Sequence, residues 1–215
     1  MAVVVKECGS HGSSSPRLLN FLRRNIICLV IFIIVTIIGI VLAWVILHSP
    51  KPHFILQDAT VFSFNVSGDP PNVLSSSIQT TLISRNLNGK TGINYDRLDV
   101  YASYQSQQIT LPTSIPAAYQ GYEEVNVWSP FIGGKYVPIA RANALSLVQE
   151  QSSGGVKVLV HVVGKISWKV GPITRTSDLF VRCPALISFG NSAAGVMVGG
   201  RGVKYTLVTV CSVSV

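Results

Sequence analysis

Few residues of this 215-residue chain have a type and spacing that could do chemistry. General-base catalysis needs an imidazole or carboxylate within reach of a nucleophile. Of the four histidines, His53 lies in a proline-bearing segment, and His161 sits among valines in VLVHVVG, where a sheet histidine is the ordinary reading. Glu123 and Glu124 are adjacent, so on a strand they point to opposite faces and cannot act as a pair. There is no G-x-S-x-G, no P-loop and no Rossmann fingerprint, and Gly195, Gly199 and Gly200 have the wrong spacing for one. Ser67-Gly68-Asp69 superficially resembles an adhesion tripeptide, but with Pro70 and Pro71 after it the segment reads as a turn. Neither the cysteines nor the histidines form C-x-x-C or H-E-x-x-H, so no metal and no cofactor is expected. The chain reads as a protein that is not an enzyme.

Covalent modification is better supported. Asn65-Val66-Ser67 is the one N-x-S/T sequon and marks Asn65 for glycosylation if that part of the chain is exported. In the same compartment a disulfide between Cys183 and Cys211 would persist and stabilise by about 3–4 kcal/mol; two buried free thiols are the alternative. Cys28 lies in an apolar run and packs there. Cys8 is an acylation candidate, and Ser10, Ser13, Ser14 and Ser15 are phosphorylation candidates in a flexible tail.

The element that decides the compartment is Ile26 to Leu47, IICLVIFIIVTIIGIVLAWVIL, which contains no charged residue. As a helix it is about 33 Å long, enough to cross about 30 Å of hydrocarbon. Its Val, Ile and Thr suit lipid, where a helix satisfies every backbone polar group internally. Trp44 fits an interfacial ring, and His48, Ser49, Pro50 and Lys51 end the span. A cleavable signal peptide would have a shorter apolar region and a small-x-small cleavage site. Arg17, Arg23 and Arg24 precede the span and Lys51 follows it, so the positive-inside rule keeps residues 1–25 in the cytosol as a disordered tail. Residues 26–47 form the transmembrane helix, 48–53 a stalk, and 54–215 an exported domain large enough to bury a core. Its basic residues are scattered, with no Lys/Arg run and no basic stripe interleaved with aromatics, which argues against nucleic-acid binding.

From Phe54 onward short alternating segments separated by turn residues predict strands at 59–66, 76–84, 96–104, 107–111, 123–128, 156–163, 165–170, 178–183 and 203–211. Leu98, Val100, Ala102 and Tyr104 share one face of their strand, and 156–163 alternates weakly enough to suggest burial on both faces. Ala140 to Glu150 predicts one short helix with Ala144, Leu145 and Val148 at helical spacing, stopped by SSGG. The pattern is that of a mainly β, two-sheet antiparallel β-sandwich of the immunoglobulin or fibronectin-III type. Pro184 to Gly202 is apolar and glycine-rich, either an irregular edge or a contact with membrane or partner.

Ser84 to Asp96, SRNLNGKTGINYD, resembles a motif of the plant NHL family, the harpin-induced and non-race-specific-disease-resistance-like proteins. These carry a late-embryogenesis-abundant group 2 domain. Asn86, Asn88, Gly92, Tyr95 and Asp96 match the family pattern, whereas Leu87 replaces a proline and Asn94 an aromatic residue. Tyr119-Gln120-Gly121, GKISWKVG around Trp168, Val181-Arg182-Cys183, the terminal CSVSV and the tail KECGSHG also resemble family segments. The physics of these residues is structural: Asn86 and Asn88 suit a capped turn, Gly92 a tight backbone, and Trp168 a core ring. The resemblance implies a plasma-membrane or plasmodesmal interaction protein linked to defence or stress, with protein or cell-wall polymer partners and homo- or hetero-oligomers open to it. A module for lipid or another apolar molecule, and a passive membrane–wall tether, are the alternatives.

Overall fold

The computed structural model describes residues 16–47, 51–170, 173–189, 195–198 and 202–215. The chain divides into two units, Met1–His48 and Ser49–Val215. In the first, one helix, α1 (Pro16–Leu47), runs for 32 residues. Within it Arg23–Leu42 has a mean hydropathy of 3.2 and none of its side chains is buried, so this helix is long and apolar enough to cross a membrane. The Thr36 hydroxyl donates back to Phe32 and Ile33 carbonyls at 3.0 and 2.8 Å, which satisfies it without solvent. Residues 16–25 of the expected disordered tail are helical, because α1 already begins at Pro16 and includes Arg17, Arg23 and Arg24. A proline is well tolerated in the first helical turn, where its missing N–H has no partner to lose. Residues 1–15, with Cys8 and the four serines, lie outside the described residues, as do 48–50 of the expected stalk; His53 opens the first strand.

The second unit contains β1 (His53–Ser67), β2 (Val73–Arg85), β3 (Ile93–Tyr104), β4 (Gln107–Gln108), β5 (Thr113–Ile115), β6 (Ala118–Gln120), β7 (Val125–Trp128) and β8 (Phe131–Pro138). After these come α2 (Arg141–Ser152), β9 (Gly155–Val170), β10 (Ile173–Ser188), β11 (Val196–Val198), β12 (Gly202–Val210) and β13 (Ser212–Ser214). Two antiparallel sheets result: β11-β12-β1-β2-β7 with β8 also on β2, and β13-β10-β9-β3-β4 with β5 and β6 also on β3. The two-sheet sandwich expected from the alternation is therefore the architecture found.

Strict alternation places one face of each long strand inside. Leu74, Ser76, Ile78, Thr80, Leu82 and Ser84 of β2 are buried, and so are Leu98, Val100, Ala102 and Tyr104 of β3. With Phe54, Leu56, Val156, Val158, Val160 and Val162 they make one core between the sheets. Two bulges in β1, at Leu56/Asp58 and Val61/Ser63, shift its register against β2. Asp58 is buried there but accepts a 2.7 Å hydrogen bond from Thr81 and pairs with Lys204 at 3.0 Å.

Several local expectations change. Residues 156–163 and 165–170 are one continuous strand, β9, in which Gly164 is no break: a Cβ there would overlap the Arg97 carbonyl, at the bulge between Tyr95 and Leu98 of β3. β9 is central in its sheet but covered on one face only, since Val156, Val158, Val160 and Val162 are buried and the alternate positions are not. β10 runs through Pro184 to Ser188, with Ala185 and Ile187 buried. A proline is accommodated because β13 pairs only Phe180 to Arg182, leaving that edge of β10 open at Pro184. Of 184–202, residues 190–194 and 199–201 lie outside the described residues. On α2 the buried residues are Ala144 and Leu147, whereas Leu145 and Val148 face outward.

Cys183 and Cys211 are joined in a disulfide. Cys211 lies between β12 of one sheet and β13 of the other, and its N–H donates to the Phe54 carbonyl at 2.9 Å. The bridge thus holds the crossing point of the C-terminal segment against the centre of β10.

Candidate functional site

Seven of the residues singled out in the sequence, Asn86, Asn88, Gly92, Tyr95, Tyr119, Gln120 and Gly121, converge in one cluster. Asn86 is buried, and its Nδ2 donates to the carbonyls of Thr91 and Gly121 at 2.9 and 2.8 Å. Its Oδ1 accepts from the Asn88 N–H at 3.0 Å, and Asn88 Oδ1 accepts from the Lys90 N–H at 2.9 Å, so two successive Asx turns fold the 86–90 loop. Tyr95 donates to Gln120 Oε1 at 2.8 Å and lies 2.8 Å from Ser84 Oγ. Gln120 Nε2 donates to the carbonyls of Ser84 and Glu124 at 2.8 and 2.9 Å. The Gly121 N–H donates to Glu124 Oε2 at 2.6 Å. Gly92 lies under the Tyr119 ring, where any Cβ would overlap the phenol.

This network joins β2, β3, β6 and the 120–124 turn. Tyr95 packs edge-on against Phe54 and Trp128, with ring centroids 6.2 and 5.3 Å apart. Burial pushes the Tyr95 hydroxyl far above the ordinary phenol range, opposed in small part by Ser84. These hydrogen bonds hold the 86–92 and 120–124 loops to β2 and β3, so the arrangement is a latch. Asp96 is exposed outside it, and Trp168 is buried on β9 opposite Ile93. Leu87, at the family's proline position, is exposed.

The other singled-out residues stay apart. Asn65 is exposed on β1, and Ser67, Gly68 and Asp69 lead into the turn before β2, where Gly68 has φ +103°. Glu123 occupies a turn with φ 55°, while Glu124 is committed to the latch. Among the described residues no group of three or more His, Cys, Asp and Glu side chains is placed to hold a metal ion.

His161 has a more organised setting than its isolated position in the sequence suggested. Its ring stacks on Tyr101 with centroids 4.9 Å apart and planes 10° apart, and its Nε2 lies 2.7 Å from Ser103 Oγ. Burial lowers its pKa, and the neighbouring Arg182 charge lowers it further, so the imidazole is neutral near pH 7. Tyr101, His161, Arg182 and Ser212 are successive cross-strand partners over β3, β9, β10 and β13, so they form one row on the outer face of that sheet. In the next row Asp99, Val163, Phe180 and Ser214 are partners in the same way. Phe180, Arg182, Ser212 and Ser214 line a surface cavity of about 370 Å³. A second, of about 530 Å³, lies between β10 and β12 beside Leu186 and Leu207. Alternation along β9 puts Lys157, Lys165 and Lys169 on the same outer face. The row was invisible in the sequence because its members come from four distant segments; the one signal available was the polar face of β9 itself.

No family model matches the chain. The NDR1/HIN1-like protein 1 of Arabidopsis thaliana is 53% identical over 212 residues, covering 98% of this chain and 100% of that protein. The NDR1/HIN1-like protein 12 of the same plant is 50% identical over 216 residues, covering 99% and 100%. The NDR1/HIN1-like protein 26 is 40% identical over 152 residues, covering 70% and 71%. A solution structure described as a late embryogenesis abundant (LEA) protein covers 65% of this chain and 72% of its own at 13% identity, with a TM-score of 0.30 that bears no argument about the fold. Half the positions or more shared with relatives over nearly the entire length, together with the motif residues now seen to form one latch, place this chain in the NDR1/HIN1-like protein family.

Proposed function

We propose that this chain is a single-pass membrane-anchored interaction protein whose β-sandwich faces the cell exterior, at the boundary of plasma membrane and cell wall or at plasmodesmata, in a plant defence or stress response. The observation that carries the reading is α1, whose Arg23–Leu42 stretch has a mean hydropathy of 3.2 with no side chain buried, ahead of a separate folded unit. An apolar helix of this kind is costly in water and at home in a bilayer. Arg23 and Arg24 at its N-terminal end favour a cytosolic N-terminus. The disulfide and the exposed Asn65 sequon both suit an exported domain.

The space between the sheets is filled by Phe54, Leu56, Leu74, Leu82, Leu98 and their neighbours, which weighs against an apolar ligand held there. Protease protection on sealed microsomes with a C-terminal tag tests the topology, run beside glycosidase treatment of wild type and Asn65→Gln. A protected tag and a glycan lost with Asn65→Gln are expected. A digested tag with no glycan places the sandwich in the cytosol and removes the wall-facing reading.

A further inference from the structure

We propose that the row Tyr101–His161–Arg182–Ser212, with Phe180 and Ser214 beside it, binds a uronate-bearing polysaccharide. Three inter-strand spacings of about 4.8 Å make the row about 14 Å long, and it crosses the strands on an open face rather than ending in a closed pocket. An open row suits a polymer that continues past the site at both ends.

Each member has a matching group on such a sugar. The Arg182 guanidinium is a planar fork for a carboxylate, and among the described residues it makes no ion pair. Two of the acids on this outer face have basic neighbours of their own: Asp99 is held by Arg97 at 3.4 Å and by Ser114, and Asp178 stands opposite Lys165; the third, Asp96, lies at the β3 bulge, away from the row. Phe180 is 48% exposed beside Arg182, and the flat Tyr101–His161 stack lies on the other side, so C–H faces of a sugar can rest on ring faces. Ser212 and Ser214 are exposed hydroxyls for sugar hydroxyl groups. Lys157, Lys165 and Lys169 on the same face supply a longer-range attraction to a polyanion.

An acidic peptide fits less well. A peptide adding to a sheet edge would pair with the backbone of β13 or of the open part of β10 and leave the side chains of the row on the sheet face unused. The aromatic faces also sit where a peptide carboxylate would make no use of them.

This inference names the ligand of the interaction function proposed above, and it is tested without reference to topology. The full chain in detergent micelles is titrated by calorimetry with an oligogalacturonate, an uncharged galactose oligomer of equal length, and poly-glutamate. Wild type is expected to bind the oligogalacturonate and neither of the others. Arg182→Gln is expected to weaken binding roughly ten- to hundredfold, the loss of one charge-assisted contact. Phe180→Ala should also weaken it, whereas Lys135→Gln, an exposed basic residue of β8, should leave it within about twofold. The His161 ring resonances should titrate at higher pH with sugar bound, because the sugar carboxylate offsets the Arg182 charge. No binding, equal loss from Arg182→Gln and Lys135→Gln, or equal affinity for poly-glutamate overturns the proposal. A cytosolic sandwich in the microsome experiment would remove the wall-facing reading and leave this binding result standing.

Discussion

The Tyr95 hydroxyl donates to Gln120 Oε1 across 2.8 Å at the meeting of β3 and β6, and the two residues are 1% and 0% exposed. Neither group has water to fall back on. Gln120 spends its two donors on the Ser84 and Glu124 carbonyls, so one side chain ties β2, β6 and the following turn together. Tyr95→Phe leaves Gln120 Oε1 without its tyrosine donor and should cost about 1–3 kcal/mol. Gln120→Leu should cost at least as much, since it removes the donors to two carbonyls and leaves the Tyr95 hydroxyl with Ser84 Oγ alone. In a double-mutant cycle by denaturant unfolding the pair should be strongly non-additive, and additive losses would show that the two residues are not one unit.

Gly92→Ala should destabilise the same end of the molecule, because the added methyl meets the Tyr119 ring. Tyr119 is exposed, so pairing Gly92→Ala with Tyr119→Ala should recover much of the loss. Recovery measured by thermal unfolding would assign the cost to that contact; no recovery would assign it to the backbone.

The Cys183–Cys211 bridge closes 28 positions of chain and joins the crossing segment to β10. Replacing both cysteines by alanine should lower stability by about 3–4 kcal/mol in the chain-entropy model. Reduction of the wild type should produce a shift of similar size in the unfolding midpoint, while the double variant should not respond to reductant.

Tyrosine ionisation should separate buried from exposed rings. Burial, then the hydrogen bond to Glu150, pushes Tyr104 up to about 12. Burial likewise raises Tyr95 and Tyr205. A phenol held neutral in the folded state stabilises it fully below the unfolded value near 10, and that contribution is lost as pH rises from there through the folded value. Ultraviolet titration should therefore show a late phase from Tyr95, Tyr104 and Tyr205 that coincides with unfolding. A single phase near the ordinary phenol value would contradict the burial of these rings.

His161 acts in the opposite pH range. Its folded pKa lies below 6.5, lowered by burial and by Arg182, with Tyr101 and Ser103 as its other neighbours. The unfolded chain therefore takes up a proton before the folded one does, so stability should fall as pH drops below about 6.5 and level off once the folded imidazole is charged. His161→Gln should flatten that part of the stability profile. Arg182→Gln should move the His161 titration upward in histidine-ring NMR, towards the ordinary value.

Local chemistry was enough to find most of the elements. Alternation in Ser76 to Ser84 and Asp96 to Tyr104 marked β2 and β3 because one buried face forces a period of two. SSGG marked the end of α2, where Ser153 caps the helix and Gly154 takes φ +101°. Strands β5, β6, β11 and β13 have three residues each, too few for alternation to show, and the strand expected at 107–111 is only the two residues of β4. Pro184 and Gly164 looked like breaks because their tolerance depends on neighbours: an open sheet edge in one case, a bulge in the next strand in the other.

By itself, then, the sequence determined the apolar helix, the mainly β sandwich and the family, since each is written in consecutive residues or in motifs that travel together. Only the tertiary structure decided what the motif residues do. Asn86, Tyr95 and Gln120 are each unremarkable alone, and their hydrogen bonds span up to 36 positions of chain. It also decided which charges pair, because Asp99 lies 3.4 Å from Arg97 while Arg182, on another strand, makes no ion pair among the described residues. Contacts across strands depend on register, and register is set by bulges and packing that no single segment encodes.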